Sequence, residues 1–276
     1  MHPARIAELL QPFLSPIQNP CHSAVPSPAP NLCHSEPGQR PGESLPRGAR
    51  RREPAVPAVL SATHLQSIST YIDILQHWNA RINLTAIRSE EEIVTRHFGE
   101  SLFAANHLFP KIYPVPPVPP VVKDVDVDVA EARSLKAEAR LADLGSGAGF
   151  PGIPIKLWAP NIALTLIESN QKKATFLREV ARALTFTDIN IQNVRAETLP
   201  PFTFDVVTVR AVERFETILP AAARLVAPAG RLALLISSSQ QEAARSTLLN
   251  VTWDPPIPIP HSQSRQLIIG RIEPKK

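Results

Sequence analysis

From residue 141 onward, short apolar runs alternate with amphipathic stretches, and this alternation permits few folds. Strands are predicted at residues 141–144, 162–167, 189–192, 205–209, 232–236, 248–253 and 266–272. Helices are predicted at residues 151–158, 171–183 and 216–226. Strands that alternate with helices form parallel sheets through right-handed crossovers. The sequence therefore predicts an α/β fold, with a doubly wound, mostly parallel sheet of seven strands.

A small helical module is predicted in front of this domain, at residues 58–110. Its first helix carries apolar residues at spacings of three and four, the period of one helix face. These residues are Leu65, Ile68, Ile72, Leu75 and Trp78. A second helix is predicted to begin at Ser89, where Glu92 completes the spacing of a capping box, and to run toward Leu108.

Proline interrupts the chain in two places. Twelve of the 30 prolines fall between Pro3 and Pro57, and five more between Pro114 and Pro120. Proline lacks the backbone donor and fixes φ, so both stretches resist helix and central strand. Residues 1–57 are predicted to be a disordered extension, residues 111–139 a linker insertion, and residues 140–276 the α/β domain.

Composition limits the class of protein. Residues 1–57 have no apolar core of the signal-peptide kind, and no apolar run reaches the length of a membrane span, so we expect a soluble, cytoplasmic monomer that does not bind membranes. The net charge of +4 suits a partner that carries phosphate. Both cysteines lie in the extension, each beside a histidine, where neighbouring side chains cannot easily reach one zinc ion. No metal is predicted.

A glycine-rich loop is predicted directly after the first strand, at the edge of the sheet where ligands bind. It reads Asp143-Leu144-Gly145-Ser146-Gly147-Ala148-Gly149-Phe150. Its third glycine comes one residue too early for the usual dinucleotide pattern G-x-G-x-x-G. Asp143 would also repel a pyrophosphate, whereas it suits the sulfonium and amino group of a methyl donor. The loop therefore favours a methyl donor over a dinucleotide.

Three further candidates follow later strands of the sheet. Glu168 ends the second strand, where a carboxylate can bind both ribose hydroxyls of either kind of cofactor. Ala196 and Glu197 follow the third strand, where a loop can cover an adenine. Arg210 ends the fourth strand, and both a functional role and a solvated strand end fit that position.

Several segments together resemble one known family. Asn79 with Ile82-Asn83-Leu84-Thr85, Arg96-His97 with Glu100-Ser101, and the loop at residues 143–154 match it in order and spacing. Glu168, residues 173–178, Arg195-Ala196-Glu197 and Val209-Arg210-Ala211 continue the match. Between about residues 60 and 271 the chain is similar to the RsmG (GidB) family of ribosomal RNA guanine-N7 methyltransferases, with the insertion outside the resemblance.

This resemblance implies a Rossmann-like methyltransferase fold, S-adenosylmethionine as the methyl donor, and small-subunit ribosomal RNA, free or in an assembling subunit, as the acceptor. Carried over by position, the residues that line the cofactor and reaction site are Gly145, Phe150, Ala196, Glu197 and Arg210. With the loop and strand-end candidates Asp143, Gly147, Gly149 and Glu168, they form the expected cofactor-binding set. Arg210 is also expected to orient the reacting groups as the catalytic residue. Arg96 and His97 are expected to contact RNA, although a packed histidine fits His97 equally well.

The chain departs from the family after the fifth strand, where a lysine and a glycine are usual and this chain has Leu235-Ile236-Ser237. A basic contact to RNA is therefore expected to be missing. Two other functions remain open at this point. One is a nicotinamide-dependent oxidoreductase that uses the same loop and Glu168, and the other is a non-catalytic RNA-binding protein of ribosome assembly.

Overall fold

The computed structural model describes residues 1–14, 60–110, 139–212 and 215–272. Most of the predicted extension at residues 1–57 lies outside the described residues, as does the predicted insertion except for Ala139. The two cysteine–histidine pairs, at residues 21–22 and 33–34, also lie outside them.

One twisted sheet organises the described part of the chain. Its strands are β1 (Arg140–Leu144), β2 (Ala163–Ile167), β3 (Ile189–Gln192), β4 (Phe204–Arg210), β5 (Val226–Ser237), β6 (Val251–Trp253), β7 (Ile257–Pro258) and β8 (Arg265–Ile272). They lie in the order β3-β2-β1-β4-β5-β8-β6, and β7 pairs with β8. The first five are parallel and β8 is antiparallel to its neighbours. The predicted fold is confirmed, with the two-residue strand β7 added to the seven predicted.

Helices cover both faces of this sheet. They are α1 (Pro3–Leu10), α2 (Ala62–Asn79), α3 (Glu90–Glu92), α4 (Glu100–Leu108), α5 (Gly152–Trp158), α6 (Gln171–Ala183), α7 (Phe215–Leu225) and α8 (Gln241–Thr247). Alternate residues of β1 enter two separate apolar cores, since side chains of a strand point to opposite faces. Leu141 packs in the core that holds α5 and α6, and Leu144 in the core that holds α7 and α8.

The helical module packs on the α5 and α6 face, within the same apolar core as Leu141. Ser61 begins α2 and accepts a bond from the backbone of His64, whose ring in turn accepts from the Ser61 backbone. The second predicted helix consists of α3, a π-helical segment at Ile93–Gly99, and α4. The capping box predicted at Ser89 does not form, because this side chain makes no capping hydrogen bond.

Helix α1 corrects the expectation of disorder for the first 14 residues. Pro3 lies in the first turn of this helix, where no intrahelical donor is needed. Ile6 and Leu10, four residues apart, are fully buried, and Phe13 is nearly so. The Phe13 ring lies where a side chain at Gly99 would have to be. These residues fold because their apolar face completes the core of the helical module.

None of the helices that the structure describes is long and apolar enough to cross a lipid bilayer.

Candidate functional site

The glycine loop turns sharply at the carboxyl end of β1. Its amides at Gly145 and Ser146 donate to the carbonyl of Ile167, which ties the loop to the end of β2. All three loop glycines have positive φ angles. A Cβ on Gly147 would make only an ordinary van der Waals contact, 3.7 Å from the carbonyl oxygen of Gly145. Gly147 therefore leaves room for a ligand to approach the backbone.

Gly149 packs closely against neighbouring side chains. A Cβ there would lie 2.7 Å from the Cδ1 of Ile153 and overlap the hydroxyl of Tyr71. That hydroxyl donates to the carbonyl of Ala148 and holds the loop against α2. Gly149 is absent from the lining of both cavities described below. The expectation that Gly149 contacts the cofactor therefore stays a prediction.

Asp143 supports the loop from below. Its Oδ1 accepts from the Thr208 hydroxyl at 2.9 Å and its Oδ2 from the Gly152 amide at 3.2 Å. The side chain is fully buried, and burial raises the pKa of this carboxyl to about 6. Asp143 lines neither cavity. Both oxygens are thus bound within the protein, and the expected contact with the cofactor stays a prediction.

Two adjoining cavities, of about 530 and 490 Å³, lie above the ends of the parallel strands. Gly145, Glu168, Ser169 and Ile218 line both cavities and so mark where they meet. Cavities of this size are typical of small-molecule sites. The sheet therefore carries a two-part cleft at the edge that its topology predicts.

Glu168 stands at the junction of the two cavities. Its Oε2 accepts from the amide of Gly147 at 2.9 Å and its Oε1 from the amide of Asn170 at 2.8 Å. Each carboxylate oxygen has a second lone pair. Glu168 can therefore accept hydrogen bonds from a ligand without releasing the loop.

The second cavity is walled by the loop after β3. Ala196 is buried and Glu197 is exposed, and both line this cavity, as does Arg195. The guanidinium of Arg224 donates to the carbonyls of Ala196, Glu197 and Leu199. Sequence reasoning missed Arg224, because it lies on α7 and nothing local marks its partners.

The first cavity has an aromatic wall. The ring of Phe150 stacks between Tyr71, at 5.3 Å, and His97, at 4.7 Å. The ring of Phe98 meets both Tyr71 and Phe150 edge-on. Phe150 and His97 line the cavity, together with Thr85 and Lys173. The predicted site residues Phe150 and His97 are thus brought together.

Arg210 lines the first cavity, but most of its hydrogen bonds run to the helical module. Its Nη2 lies 2.6 Å from the carbonyl of Arg96 and 2.9 Å from Oε2 of Glu100. Glu100 Oε2 also accepts from Arg265 at 2.6 Å. Burial lowers the pKa of Arg210, yet a guanidinium stays protonated. Its buried Nε has no partner among the described residues.

His97 is neutral and both of its ring nitrogens are bound. Burial, with Arg210, Arg265 and Arg96 nearby, lowers its pKa to about 2. Nη1 of Arg210 lies 3.2 Å from Nδ1, and a guanidinium can only donate, so Nδ1 accepts. The ring proton is therefore on Nε2, 2.8 Å from the hydroxyl oxygen of Thr85.

Arg96 and His97, the two residues expected to contact RNA, have different surroundings in the structure. A neutral, buried His97 does not suit a phosphate, and its expected contact with RNA, through a phosphate or a base, stays a prediction. Arg96 is half-exposed, 3.8 Å from Glu92, and does not line either cavity. Lys173, which lines the first cavity, is a nearer cation.

The departure at Ile236 lies away from the cleft. Leu235 and Ile236 are buried in β5, and Ile236 belongs to the core under α7 and α8. Neither lines either of the two cavities of the cleft. Among the described residues, no group of three or more His, Cys, Asp or Glu side chains is arranged to hold a metal ion.

Comparison with known proteins agrees with this geometry. The family model GidB, described as rRNA small subunit methyltransferase G, matches residues 64–112 and 126–253. The unmatched stretch between these segments, residues 113–125, falls inside the predicted insertion.

Individual relatives carry the same description. The Ribosomal RNA small subunit methyltransferase G of Roseiflexus castenholzii is 33% identical over 222 residues, which cover 76% of this chain and 84% of the relative. That of Alkaliphilus metalliredigens is 38% identical over 133 residues, which cover 48% of this chain and less than half, 45%, of the relative. A solved ribosomal protein L11 methylase from Lactobacillus delbrueckii is more distant, with 15% identity, a TM-score of 0.47, and coverage of 64% of this chain and 79% of that one.

Proposed function

The chain belongs to the rRNA small subunit methyltransferase G family, and on that premise we propose that it methylates N7 of a guanine in small-subunit ribosomal RNA. It is an enzyme, and its methyl donor is S-adenosylmethionine. The observation that carries the proposal is the pair of adjoining cavities that share Gly145 and Glu168. The second cavity suits the cofactor's nucleoside, and the first has room for its methionine portion and an incoming base.

The residues present fit this cofactor. Glu168, at the end of β2, has lone pairs free for the two ribose hydroxyls. Ala196 and Glu197 line the cavity where the adenine would lie, with Arg224 holding their loop. Gly147 gives the ligand access to the backbone, Gly145 lines both cavities, and Phe150 lines the first. When bound, S-adenosylmethionine supplies an electrophilic methyl group on a positively charged sulfur.

The chemistry at N7 requires no proton transfer from the base. Guanine N7 carries an in-plane lone pair and no proton at neutral pH. His97 accordingly need not act as a general base, and with both nitrogens bound it is not available as one. The work of the protein is to align N7 with the methyl group and to exclude water, which is catalysis by proximity.

Arg210 acts in this scheme as a positioning residue. It links the end of β4 to the π-helical segment through Arg96, His97 and Glu100. The wall of the first cavity, made by His97 and Phe150, depends on that link. Arg210 is therefore expected to set the geometry of the reacting groups more than the affinity for the cofactor.

Cofactor titration separates this function from the oxidoreductase alternative. Isothermal titration should show binding of S-adenosylmethionine and none of a nicotinamide dinucleotide. The reverse result would overturn the proposal.

Product mapping tests the reaction itself. Small subunits lacking the modification are incubated with the enzyme and labelled methyl donor, and the modified nucleotide is mapped by mass spectrometry. We expect label at N7 of one guanine. Cofactor binding without transfer to any ribosomal RNA, free or assembled, would favour the non-catalytic RNA-binding alternative.

The working form is proposed to be a cytoplasmic monomer. The substrate, ribosomal RNA, is itself cytoplasmic in bacteria. Analytical ultracentrifugation of the active enzyme should give the mass of a single chain, and a stable dimer would contradict this proposal.

A further inference from the structure

Thr85 is held rigidly at the edge of the first cavity. Asn79, the last residue of α2, accepts from the amides of Leu84 and Thr85 and donates to the carbonyl of Thr85, at 2.9 to 3.0 Å. The Thr85 side chain is half-buried and lines the cavity beside His97, Phe150 and Arg210. No role was expected for this hydroxyl from the sequence, beyond its place in a family motif.

Both lone pairs of this hydroxyl are occupied. The amide of Ile87 donates to Oγ1 at 3.1 Å. The second bond comes from His97, whose Nε2 carries the ring proton because Nδ1 accepts from Arg210. A hydroxyl that accepts two hydrogen bonds can only donate its own proton to a third partner. No residue that the structure describes accepts that proton.

A chain of hydrogen bonds fixes this polarity from the protein interior. Glu100, buried and bonded to both Arg210 and Arg265, holds the guanidinium of Arg210. Arg210 donates to His97, and His97 donates to Thr85. Since Arg210 cannot accept a hydrogen bond, no link in this chain can reverse. Thr85 is therefore locked as a donor at the cavity.

We propose that the Thr85 hydroxyl donates to O6 of the target guanine and selects guanine over adenine. The proposal rests on the function proposed above and specifies how the same cleft recognises its base. Guanine presents N7 and O6 as neighbouring acceptors on one edge, whereas adenine presents N7 beside the N6 amino donor. The amino group of an adenine is a donor and would face the Thr85 hydroxyl, which is also a donor. Both groups would then lack an acceptor, and a site with unpaired polar groups strongly disfavours such a base.

The test compares two variants on two RNA substrates. Thr85→Val removes the hydroxyl with little change of shape, and Thr85→Ser retains it. One substrate carries guanine at the mapped position and the other carries 2-aminopurine, which keeps N7 and lacks O6. For each enzyme the ratio of kcat/KM on the two substrates is measured, so that the intrinsic reactivity of each base cancels between enzymes.

We expect Thr85→Val to lower kcat/KM on the guanine substrate by about tenfold and to leave the 2-aminopurine substrate nearly unchanged. The Thr85→Ser variant should restore the preference for guanine. Affinity for S-adenosylmethionine should match the wild type in both variants. Thr85→Ser should keep the wild-type melting temperature, whereas Thr85→Val should melt lower, because the Ile87 amide and Nε2 of His97 lose their acceptor.

Two results would overturn the proposal. In the first, Thr85→Val methylates the guanine substrate at the wild-type rate. In the second, its kcat/KM falls equally on both substrates, which would mean that Thr85 serves cofactor binding or the fold. Failure of the proposed function is seen separately, because the wild-type enzyme would then form no N7-methylguanine at all.

Discussion

Nη2 of Arg210 lies 2.9 Å from Oε2 of Glu100, and each side chain is about 5% exposed. The pair joins the last residue of β4 to the first residue of α4 across 110 positions of sequence. Arg265, on β8, bonds the same carboxylate oxygen. One buried carboxylate thus holds together the sheet and the helical module at the wall of the cleft.

Glu100→Gln is expected to lower the free energy of unfolding by about 3 kcal/mol. The substitution leaves the buried guanidinium of Arg210 without its counter-charge, and an uncompensated buried charge is costly. Urea denaturation measures the change. As a matched control, Arg271→Ala breaks an ion pair with Asp254 in which the arginine is 62% exposed, and should cost less than about 1 kcal/mol. Equal costs for the two variants would contradict this account of Glu100.

Arg210→Ala is expected to lower kcat by about 100-fold while the Kd for S-adenosylmethionine changes little. The loss follows from displacement of His97 and the π-helical segment, which wall the cavity where the base enters. Single-turnover kinetics and isothermal titration give the two quantities. Arg210→Lys should not restore activity, because an ammonium cannot bond Glu100, His97 and the Arg96 carbonyl in the same geometry. Normal turnover of Arg210→Ala on ribosomal RNA would remove Arg210 from the mechanism.

Gly147→Ala and Gly149→Ala are expected to fail in different ways. A Cβ on Gly149 meets Ile153 and Tyr71, so that variant should lose about 3 kcal/mol of stability. A Cβ on Gly147 enters the cleft, so that variant should lose about 1 kcal/mol of stability from its positive φ, and about tenfold in affinity for the cofactor. Denaturation and titration of both variants provide the comparison. If the loss of binding free energy for the cofactor in Gly147→Ala is no larger than its loss of unfolding free energy, a ligand at that loop would be contradicted.

Asp143 is expected to make stability fall as pH rises. Its pKa is about 6 in the folded protein against 3.8 in an ordinary aspartate. The native state therefore keeps this proton to higher pH than the unfolded chain, and the stability contributed by the protonated form is lost as pH rises through about 6. Relative to Asp143→Asn, the wild type should lose about 2 kcal/mol of unfolding free energy between about pH 4.5 and 7.5.

The control for this measurement is Asp205→Asn. Arg140 lowers the pKa of Asp205 through a direct hydrogen bond. The wild type should therefore gain stability relative to that variant as pH rises, opposite in sign to the effect at Asp143. A wild-type protein whose stability relative to Asp143→Asn does not vary with pH would show that Asp143 titrates normally.

The sheet and the loop were predictable because their signals are local. Strand and helix periods, and glycines directly after a strand, are visible within a few residues. The role of Asp143 was not predictable in this way. Its position before the loop indicated a ligand contact, whereas its side chain points inward to Thr208 and Gly152. Burial of a strand residue depends on which face is covered, and that is decided by distant segments.

The wall of the first cavity was the least visible part of the site. Thr85, His97 and Arg210 converge from positions up to 125 residues apart, and no spacing rule links them. Helix α1 was missed for a different reason. Its apolar positions at Ile6 and Leu10 have helical spacing, but the proline content of the following residues outweighed that short signal.

Phe13 connects the first 14 residues to the reaction site, because its ring packs against Gly99, two positions after His97. Trimming the protein at residue 58, the boundary that composition alone favours, would remove Phe13 from beneath the π-helical segment. Such a shortened enzyme should still bind the methyl donor, since no residue of α1 lines either cavity. We expect it to transfer the methyl group to the nucleobase more slowly.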